Sequence, residues 1–309
     1  MGKIAFVFPG QGAQYTGMGK DIFDNNEVAR DVFNKIDKVR ANTSKQCFEA
    51  EISELSITEN TQPCIFAVEM ALACALKAEG IEADALAGFS LGEVTALTFS
   101  NVLTFDDGIK FICKRAEYMQ EDTKKVETGM VAALKLDDKT VEEASKEFKA
   151  VYPVNYNSPG QLVVAGDKVE LESFSKAIAS KGGRVIPLKV SGGFHSPFME
   201  EASNKIFAEL DKIKFNLPKV PVYSNYTAKV YGEDVKTLLS NQVKKPVLWV
   251  DIVNNMINDG IDTFIEVGPG KVLSGLIKKI NSDVTIYNVE NSETLKNVVA
   301  ELKKEAKVC

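Results

Sequence analysis

Short apolar runs alternate with longer amphipathic segments through most of this 309-residue chain. Ile4–Phe8 is an unbroken apolar run stopped by Pro9-Gly10, which is typical of a buried strand. A helix should open near Thr61, with Pro63 close to its first turn, and run to Gly80. Its part from Ile65 to Leu76 is apolar on nearly every face apart from Glu69, so we expect a central helix covered on all sides. Alternation of this kind predicts an α/β fold with a parallel sheet. The same patterns predict a helix capped by Asn26, with apolar positions Val28, Val32, Phe33 and Ile36, and a helix capped by Thr104. Later in the chain they predict strands at Val220–Ser224, Thr263–Val267 and Val284–Asn288. They also predict a helix that opens at Ser196, a helix over Val247–Asn258, and a helix from Ser292 to about Lys304.

Residues 124–190 show a different order of patterns. Strands and helices follow one another as βαββαβ, which is a complete ferredoxin-like unit. The predicted elements are the strand Met130–Leu136, the helix Thr140–Phe148, the strands Val154–Tyr156 and Leu162–Ala165, the helix Lys168–Lys181 and the strand Arg184–Val190. We therefore predict a small ferredoxin-like domain of residues 124–190, inserted into a large domain formed by residues 1–123 and 191–309.

The segment G-F-S-L-G at residues 88–92 has the spacing G-x-S-x-G between a small apolar run and a helix-capable run. In that context the pattern predicts a nucleophile elbow. A Cβ at Gly88 or Gly92 would collide with the elements packed beside the turn. Ser90 would begin a helix whose first unpaired N–H, that of Leu91, can point at an oxyanion. A Gly/Ser turn without chemistry is the alternative.

Arg115 occupies an unusual place for a charged side chain. At about 100° per residue it falls inside the apolar stripe of its helix, which is formed by Ile109, Ile112, Ala116 and Met119. Burying a guanidinium is costly unless an anion meets it. The anion is either a ligand or a buried Asp or Glu, and periodicity alone does not choose between the two.

Composition and charge narrow the function classes. The chain is 45% hydrophobic with a net charge of −6, which argues against nucleic-acid binding. No run is long enough for a signal-peptide core or a membrane span. A single histidine, His195, excludes a multi-histidine metal site, and an odd, scattered set of cysteines indicates a reduced, cytoplasmic chain without structural zinc. These cysteines are Cys47, Cys64, Cys74, Cys113 and Cys309.

His195 is the only imidazole that could activate Ser90. A serine hydroxyl is a poor nucleophile until a base takes its proton. His195 lies in a Gly-rich loop that runs into a helix, and a helix N-terminus disfavours the imidazolium form. A lone histidine is more often a packing or surface residue, but an elbow serine that lacks another base favours the catalytic interpretation.

Seven motifs in order resemble one family, the malonyl-CoA:acyl carrier protein transacylases of bacterial type II fatty acid synthesis. The resemblance runs from residue 4 to about 290. The motifs are P-G-Q-G-A-Q at 9–14, G-F-S-L-G-E at 88–93, Arg115 before Met119-Gln120, N-Y-N-S-P-G-Q at 155–161, G-G-F-H-S at 192–196, Gln242 before Pro246 and Trp249, and E-V-G-P-G at 266–270.

This resemblance implies an α/β-hydrolase-like core with the ferredoxin-like insertion, and it implies roles for single residues. Ser90 would be the acylated nucleophile, with His195 as general base and acid. The backbone N–H groups of Gln11 and Leu91 would form the oxyanion hole, and Arg115 would receive the malonyl carboxylate. A main-chain carbonyl, here that of Gln242, would orient the imidazole. Three further residues would line the substrate pocket, namely Met119, Asn157 and Phe194.

The resemblance also implies the substrates and the setting. Malonyl-CoA would be the donor and holo acyl carrier protein the acceptor, with no bound cofactor or metal, since phosphopantetheine belongs to the carrier. The protein would be a cytoplasmic monomer that meets neither nucleic acid nor membrane. Phe89 stands where many members have His, so any role of that histidine is absent here, and the oxyanion arrangement does not depend on it. Phe194 resembles the malonyl-selective form of its loop rather than the form that accepts a 2-methyl branch, with ordinary packing as the alternative.

Three other functions share some of these features. A serine esterase or thioesterase would pass the acyl group to water, but it would require an acidic residue behind His195 and has no use for a buried Arg115. A malonyl transferase serving another carrier, such as that of malonate decarboxylase, would use the same site chemistry. A catalytically inactive binding module would not need Ser90, His195, Arg115 and Gln11 together.

Overall fold

The computed structural model describes residues 2–308, with side chains through residue 304, so Met1 and Cys309 lie outside it. Its larger sheet has five parallel strands in the order β7-β2-β1-β8-β9. These strands are β1 (Lys3–Phe8), β2 (Ala85–Gly88), β7 (Val222–Tyr223), β8 (Ile261–Val267) and β9 (Thr285–Val289). The α/β class with a parallel sheet is therefore confirmed.

Strand β1 explains why its sequence is one apolar run. Ile4, Phe6 and Phe8 pack into the core on one face of the sheet, while Ala5 and Val7 pack on the other. A parallel sheet covered by helices on both faces requires this pattern, because neither face of a strand meets water. The helices that lie in the large part of the chain are α1 (Lys20–Asn25), α2 (Glu27–Val39), α3 (Thr43–Glu49), α4 (Ile52–Leu55), α5 (Thr58–Ala78), α6 (Leu91–Phe99), α7 (Phe105–Thr123), α10 (Glu200–Leu210), α11 (Val235–Gln242), α12 (Trp249–Asn258), α13 (Val272–Ile280) and α14 (Ser292–Val308), together with the 3-10 helix Pro197–Met199.

Helix α5 is the central helix that the sequence predicts. Sixteen of its residues are buried, including Glu69. It begins at Thr58 rather than near Thr61, so Pro63 lies inside the helix and not at its first turn. By length and composition it is the one helix among residues 2–308 that could cross a membrane, yet 83% of that window is buried within the protein. Core packing accounts for its apolar surface.

The second sheet is antiparallel and has the order β4-β5-β3-β6. Its elements are β3 (Thr128–Leu134), α8 (Asp138–Ser145), β4 (Val151–Ser158), β5 (Gln161–Asp167), α9 (Lys168–Ser180) and β6 (Arg184–Pro187). Their succession along the chain is that predicted for residues 124–190. The division into two domains at these boundaries stays a prediction.

Strand β4 joins the small sheet to the large part of the chain. Val247 donates its N–H to the carbonyl of Val154 at 2.8 Å, and Tyr156 donates to the carbonyl of Val247 at 3.0 Å. These bonds form a parallel bridge between Asn155 and Val247, just before α12. Strand β4 is thereby hydrogen-bonded to the segment that leads into α12.

Several boundaries differ from the sequence predictions. Helix α2 is capped by Asn26 as expected, but Val28 is 38% exposed and Ala29 takes the core position instead. Strand β6 ends at Pro187 rather than Val190, although Leu188 still donates its N–H to the carbonyl of Met130 at 2.9 Å. Five short helices were not predicted, since segments of four to nine residues carry too few periodic positions; these are α1, α3, α4, α11 and α13.

Candidate active site

The candidate site lies where the parallel strands end. Ligands of open parallel sheets bind outside the carboxyl ends of the strands. Strand β1 is followed by the turn that carries Gln11, β2 by Ser90, and β7 by Asn225. A Cβ on Gly10 would lie 2.8 Å from the carbonyl oxygen of Phe89, so the first turn packs directly against the second.

Ser90 has the backbone conformation of a nucleophile elbow. Its φ of 55° and ψ of −105° lie in a region that non-glycine residues rarely adopt. A Cβ on Gly88 would lie 1.9 Å from the carbonyl carbon of Gly92, and one on Gly92 would lie 2.2 Å from the carbonyl oxygen of Phe8. The predicted strand, turn and helix are confirmed, and both glycines are required by close packing.

Ser90, His195 and Gln242 form one hydrogen-bonded line. His195 Nε2 lies 2.8 Å from Ser90 Oγ, and its Nδ1 lies 2.8 Å from the carbonyl oxygen of Gln242. Because a carbonyl only accepts, Nδ1 carries the proton and Nε2 faces the serine hydroxyl as an acceptor. His195 itself has a positive φ of 60° and donates its N–H to the carbonyl of Val243 at 2.9 Å.

Burial keeps the imidazole neutral. His195 is 3% exposed, and burial, followed by the charge of Arg115, lowers its pKa to about 4. A neutral imidazole at physiological pH can accept the serine proton.

Arg115 is fully buried beside Ser90. Its Nη1 donates to Gln62 Oε1 at 2.6 Å, and its Nη2 donates to Gln242 Oε1 at 2.8 Å and to Ser90 Oγ at 3.1 Å. Among the side chains of residues 2–304 no carboxylate lies within ion-pair distance of this guanidinium. Of the two interpretations left open by periodicity, direct pairing with a buried acid is therefore wrong.

Asn225 and the side chain of Gln242 hold the backbone of Ser90 from both sides. Ser90 donates its N–H to Asn225 Oδ1 at 2.7 Å, and Gln242 Nε2 donates to the carbonyl of Ser90 at 2.6 Å. Asn225 Nδ2 also donates to the carbonyl of Gly88 at 2.6 Å. These bonds satisfy backbone groups that the sharp turn takes out of regular structure.

Glu93 lies beneath these amides. Its carboxylate accepts hydrogen bonds from Tyr231 Oη, from the N–H of Asn225 at 2.9 Å and from Gln242 Nε2 at 3.1 Å. Burial raises the pKa of Glu93 to about 7, against the lowering effect of these donors and of Arg115. Sequence reasoning missed Glu93, Gln62, Asn225 and Tyr231; the available signals were a glutamate one turn after the nucleophile and an asparagine directly after a predicted strand.

The two expected oxyanion donors lie on either side of the elbow. Leu91 is the first residue of α6, so its N–H has no acceptor within the helix. Gln11 lies half-buried on the turn after β1, and its side-chain Nε2 donates to Thr58 Oγ1 at 3.4 Å. Their role at an oxyanion stays a prediction.

The three expected pocket residues have different surroundings. Met119 Sδ accepts from Gln62 Nε2 at 3.5 Å, which places it next to the residue that binds Arg115. Phe194, directly before His195, is packed in the core. Asn157 is 8% exposed, and its Oδ1 has no hydrogen-bond partner within residues 2–304. Phe89, the residue before Ser90, packs against Trp249 with ring centroids 5.6 Å apart. No group of three or more His, Cys, Asp or Glu side chains in the described part of the chain could hold a metal ion.

Comparison with known proteins identifies the family. Residues 5–308 match the acyl transferase domain family. The chain belongs to that family. This acyltransferase is 38% identical over 313 residues to the malonyl CoA-acyl carrier protein transacylase of Bacillus subtilis (strain 168), covering 99% of each chain. The protein of the same name from Staphylococcus aureus (strain MW2) is 39% identical over 308 residues, covering 96% of this chain and 98% of that one.

Solved structures show the same fold as this acyltransferase. The malonyl CoA-acyl carrier protein transacylase of Clostridium perfringens has a TM-score of 0.96 and 41% identity, with 99% of each chain covered. A malonyl-transacylase solved in complex with a type II PKS acyl-carrier protein has a TM-score of 0.94 and 32% identity, covering 97% of this chain and 99% of that one. The resemblance seen in the seven motifs is thus confirmed.

Proposed function

We propose that this acyltransferase moves the malonyl group from malonyl-CoA to the phosphopantetheine thiol of acyl carrier protein through a malonyl-Ser90 ester. The observation that carries the proposal is the buried guanidinium of Arg115, whose Nη2 lies 3.1 Å from the nucleophile Oγ. A cation at this place fits an acyl group that ends in a carboxylate. The names of the relatives point to the same substrate pair.

In the first half-reaction His195 Nε2 takes the proton of Ser90 as Oγ attacks the thioester carbonyl. The N–H groups of Leu91 and Gln11 would stabilise the oxyanion, and losing one such donor typically costs ~10²–10³ in rate. Collapse of the tetrahedral intermediate expels the thiolate of CoA, and His195 returns the proton. In the second half-reaction the carrier thiol attacks the Ser90 ester in the same manner, which makes the mechanism ping-pong.

The carbonyl of Gln242 suits this leaving group. It holds Nδ1 of His195 without adding a negative charge, at 2.8 Å. A thiol has a pKa of ~8.5, so a thiolate leaves with less proton help than the amine of an amide. An aspartate behind the histidine is therefore not required for acyl transfer between thiols.

Arg115 would bind the malonyl carboxylate through its fork of donors. Paired N–H groups bind a carboxylate with both strength and direction. The contact with Ser90 Oγ would be given up as the carboxylate arrives, which frees the hydroxyl to attack. We also propose selectivity for malonyl over methylmalonyl, because Phe194 resembles the malonyl-selective form of the loop before His195.

A hydrolase remains the chief rival. A neutral acyl group offers no anion to the buried charge of Arg115. In addition, the group that accepts from Nδ1 of His195 is a main-chain carbonyl rather than a carboxylate. A malonyl transferase for a different carrier shares every feature of the site, so the acceptor decides between the two.

We further propose an α/β-hydrolase-like core, a ferredoxin-like small domain in accord with the order β4-β5-β3-β6, and a cytoplasmic monomer that supplies fatty acid synthesis.

Intact-protein mass spectrometry tests this function. The protein is mixed with malonyl-CoA, and holo acyl carrier protein is then added. We expect a malonyl-sized adduct that is absent in Ser90→Ala and is discharged onto the carrier. An adduct lost to water without the carrier supports the hydrolase, and one that ignores this carrier supports another acceptor. Absence of any adduct contradicts the role of Ser90.

A further inference from the structure

Two opposite charges are buried near the nucleophile without touching one another. Arg115 is 0% exposed, and its three contacts are neutral oxygens of Gln62, Gln242 and Ser90. Glu93 is also 0% exposed, and its contacts are the neutral donors of Tyr231, Asn225 and Gln242. Each charge therefore lacks a direct counter-ion, which is expensive for a buried group.

The amide of Gln242 connects the two charges. Its Oε1 accepts from Arg115 Nη2 at 2.8 Å, and its Nε2 donates to Glu93 Oε2 at 3.1 Å. The amide dipole thus has its negative end toward the cation and its positive end toward the anion. The same Nε2 donates to the carbonyl of Ser90 at 2.6 Å, which leaves this orientation as the one that satisfies every neighbour.

We infer that Glu93 is the counter-charge of Arg115, held one amide away so that the guanidinium stays free for a substrate carboxylate, and that it limits how tightly this carboxylate is held. Direct pairing would saturate the donors of Arg115, and the substrate would then have to displace a buried acid. The inference rests on the proposed function in one respect only, namely that the ligand of Arg115 carries a carboxylate.

The electrostatic reasoning gives the direction of the effect. Glu93 and a bound carboxylate are two anions that share one cation, so each weakens the hold of Arg115 on the other. The titratable groups facing Glu93 are Arg115 from α7 and Tyr231 from the segment after β7, with His195 beyond Gln242. Burial raises the pKa of Glu93 to about 7, so at pH 8 the carboxylate is mostly ionised.

Glu93→Gln removes the charge and keeps the shape. The new amide oxygen can accept from Asn225 and Gln242 as the carboxylate does, and its NH₂ faces the hydroxyl of Tyr231, which can turn to accept. Glu69→Gln is the matched control: Glu69 is another fully buried glutamate, on α5, bonded to Thr95, and burial raises its pKa well above the usual value. Its removal changes a buried acid without changing the charge around Arg115.

The test uses malonamate, which carries one carboxylate and an unreactive amide. Its binding is measured at pH 8 from the increase in the thermal unfolding temperature of the full chain. Neutral malonamide is the matched ligand. We expect Glu93→Gln to lower the apparent Kd of malonamate by roughly 10-fold relative to the unsubstituted protein, while Glu69→Gln leaves it unchanged and malonamide stabilises none of the three. Labelling of Ser90 by a neutral sulfonyl fluoride is measured beside it, and Glu93→Gln should change the labelling rate by a smaller factor than the malonamate Kd, because the Ser90–His195 contact is kept.

Two results would overturn this inference. One is an unchanged or weaker malonamate Kd in folded Glu93→Gln, or no malonamate binding in any of the proteins. The other is an equal loss of malonamate binding and of sulfonyl fluoride labelling, which would assign Glu93 a purely structural role. Because malonamate is not transferred, binding of this kind can be observed even if no malonyl adduct forms, so failure of the proposed function is recognised separately.

Discussion

The carboxyl edge of the parallel sheet buries a connected set of charged and amide side chains, whereas the antiparallel sheet packs apolar side chains against α8 and α9. The set at the edge consists of Gln62, Glu93, Arg115, Asn225 and Gln242, and all of them are buried. The small sheet buries Val164, Leu171 and Phe174 in a separate apolar cluster. Buried polar groups are tolerated only when they are hydrogen-bonded, so each group at the edge adds a requirement that an apolar core does not have.

This contrast separates chemistry from packing. Substitutions at the edge of the large sheet should change reaction rates, and substitutions in the small core should change stability. The following variants are ordered by their expected effect on the rate of malonyl loading.

His195→Ala should slow malonyl loading by about 10²–10⁴-fold, because Ser90 loses the one base within hydrogen-bond distance. The rate of adduct formation by intact mass is the measurement. The unfolding temperature serves as the control for folding. A loss smaller than tenfold in a folded variant would mean that another group takes the proton.

Arg115→Ala should slow malonyl loading by about 10²-fold, since charged hydrogen bonds contribute about 1.5–3 kcal/mol each. Loading of a neutral acetyl group from acetyl-CoA should fall much less. The two rates are compared in the same preparation. Equal losses for both acyl groups would remove Arg115 from carboxylate binding.

Acid should slow the attack of Ser90 only at low pH. The pKa of His195 is lowered to about 4, so labelling by a neutral sulfonyl fluoride should stay nearly flat from pH 8 to pH 5 and halve at about pH 4. The unfolded chain binds its proton near pH 6.5. Stability from neutral His195 is therefore full above pH 6.5 and declines as pH falls toward 4, which denaturant titrations can follow. A midpoint of labelling near 6.5 would show that burial does not control this imidazole.

Phe174→Ala should leave the loading rate of the folded protein within about twofold and lower its free energy of unfolding by about 3–5 kcal/mol. Phe66 is a second fully buried phenylalanine, on α5 one turn after Gln62. Phe66→Ala should lower both the loading rate and the free energy of unfolding. Urea denaturation and adduct formation give the two values. A strong rate loss in Phe174→Ala would break the separation between the two sheets.

Much of the architecture could be predicted from local pattern. β1 is apolar on both faces and α5 is apolar all round, because both are covered on every side. The G-x-S-x-G segment predicted the elbow because its spacing is local, although the close contact that requires Gly92 is with Phe8 on the neighbouring strand. The short helix α11 was missed, although it ends at Gln242, whose carbonyl holds His195.

The sequence by itself therefore determined most of the longer strands and helices, the turn at Ser90 and the burial of Arg115, since periodicity and turn geometry act over a few residues. Only the tertiary structure decided what meets Arg115. Glu93 and Gln242 are separated by 149 positions along the chain, and their contact exists only because β2, β7 and the end of α11 converge at one edge of the sheet. Single buried amides and acids have no periodic signature, so their partners follow from packing rather than from local sequence.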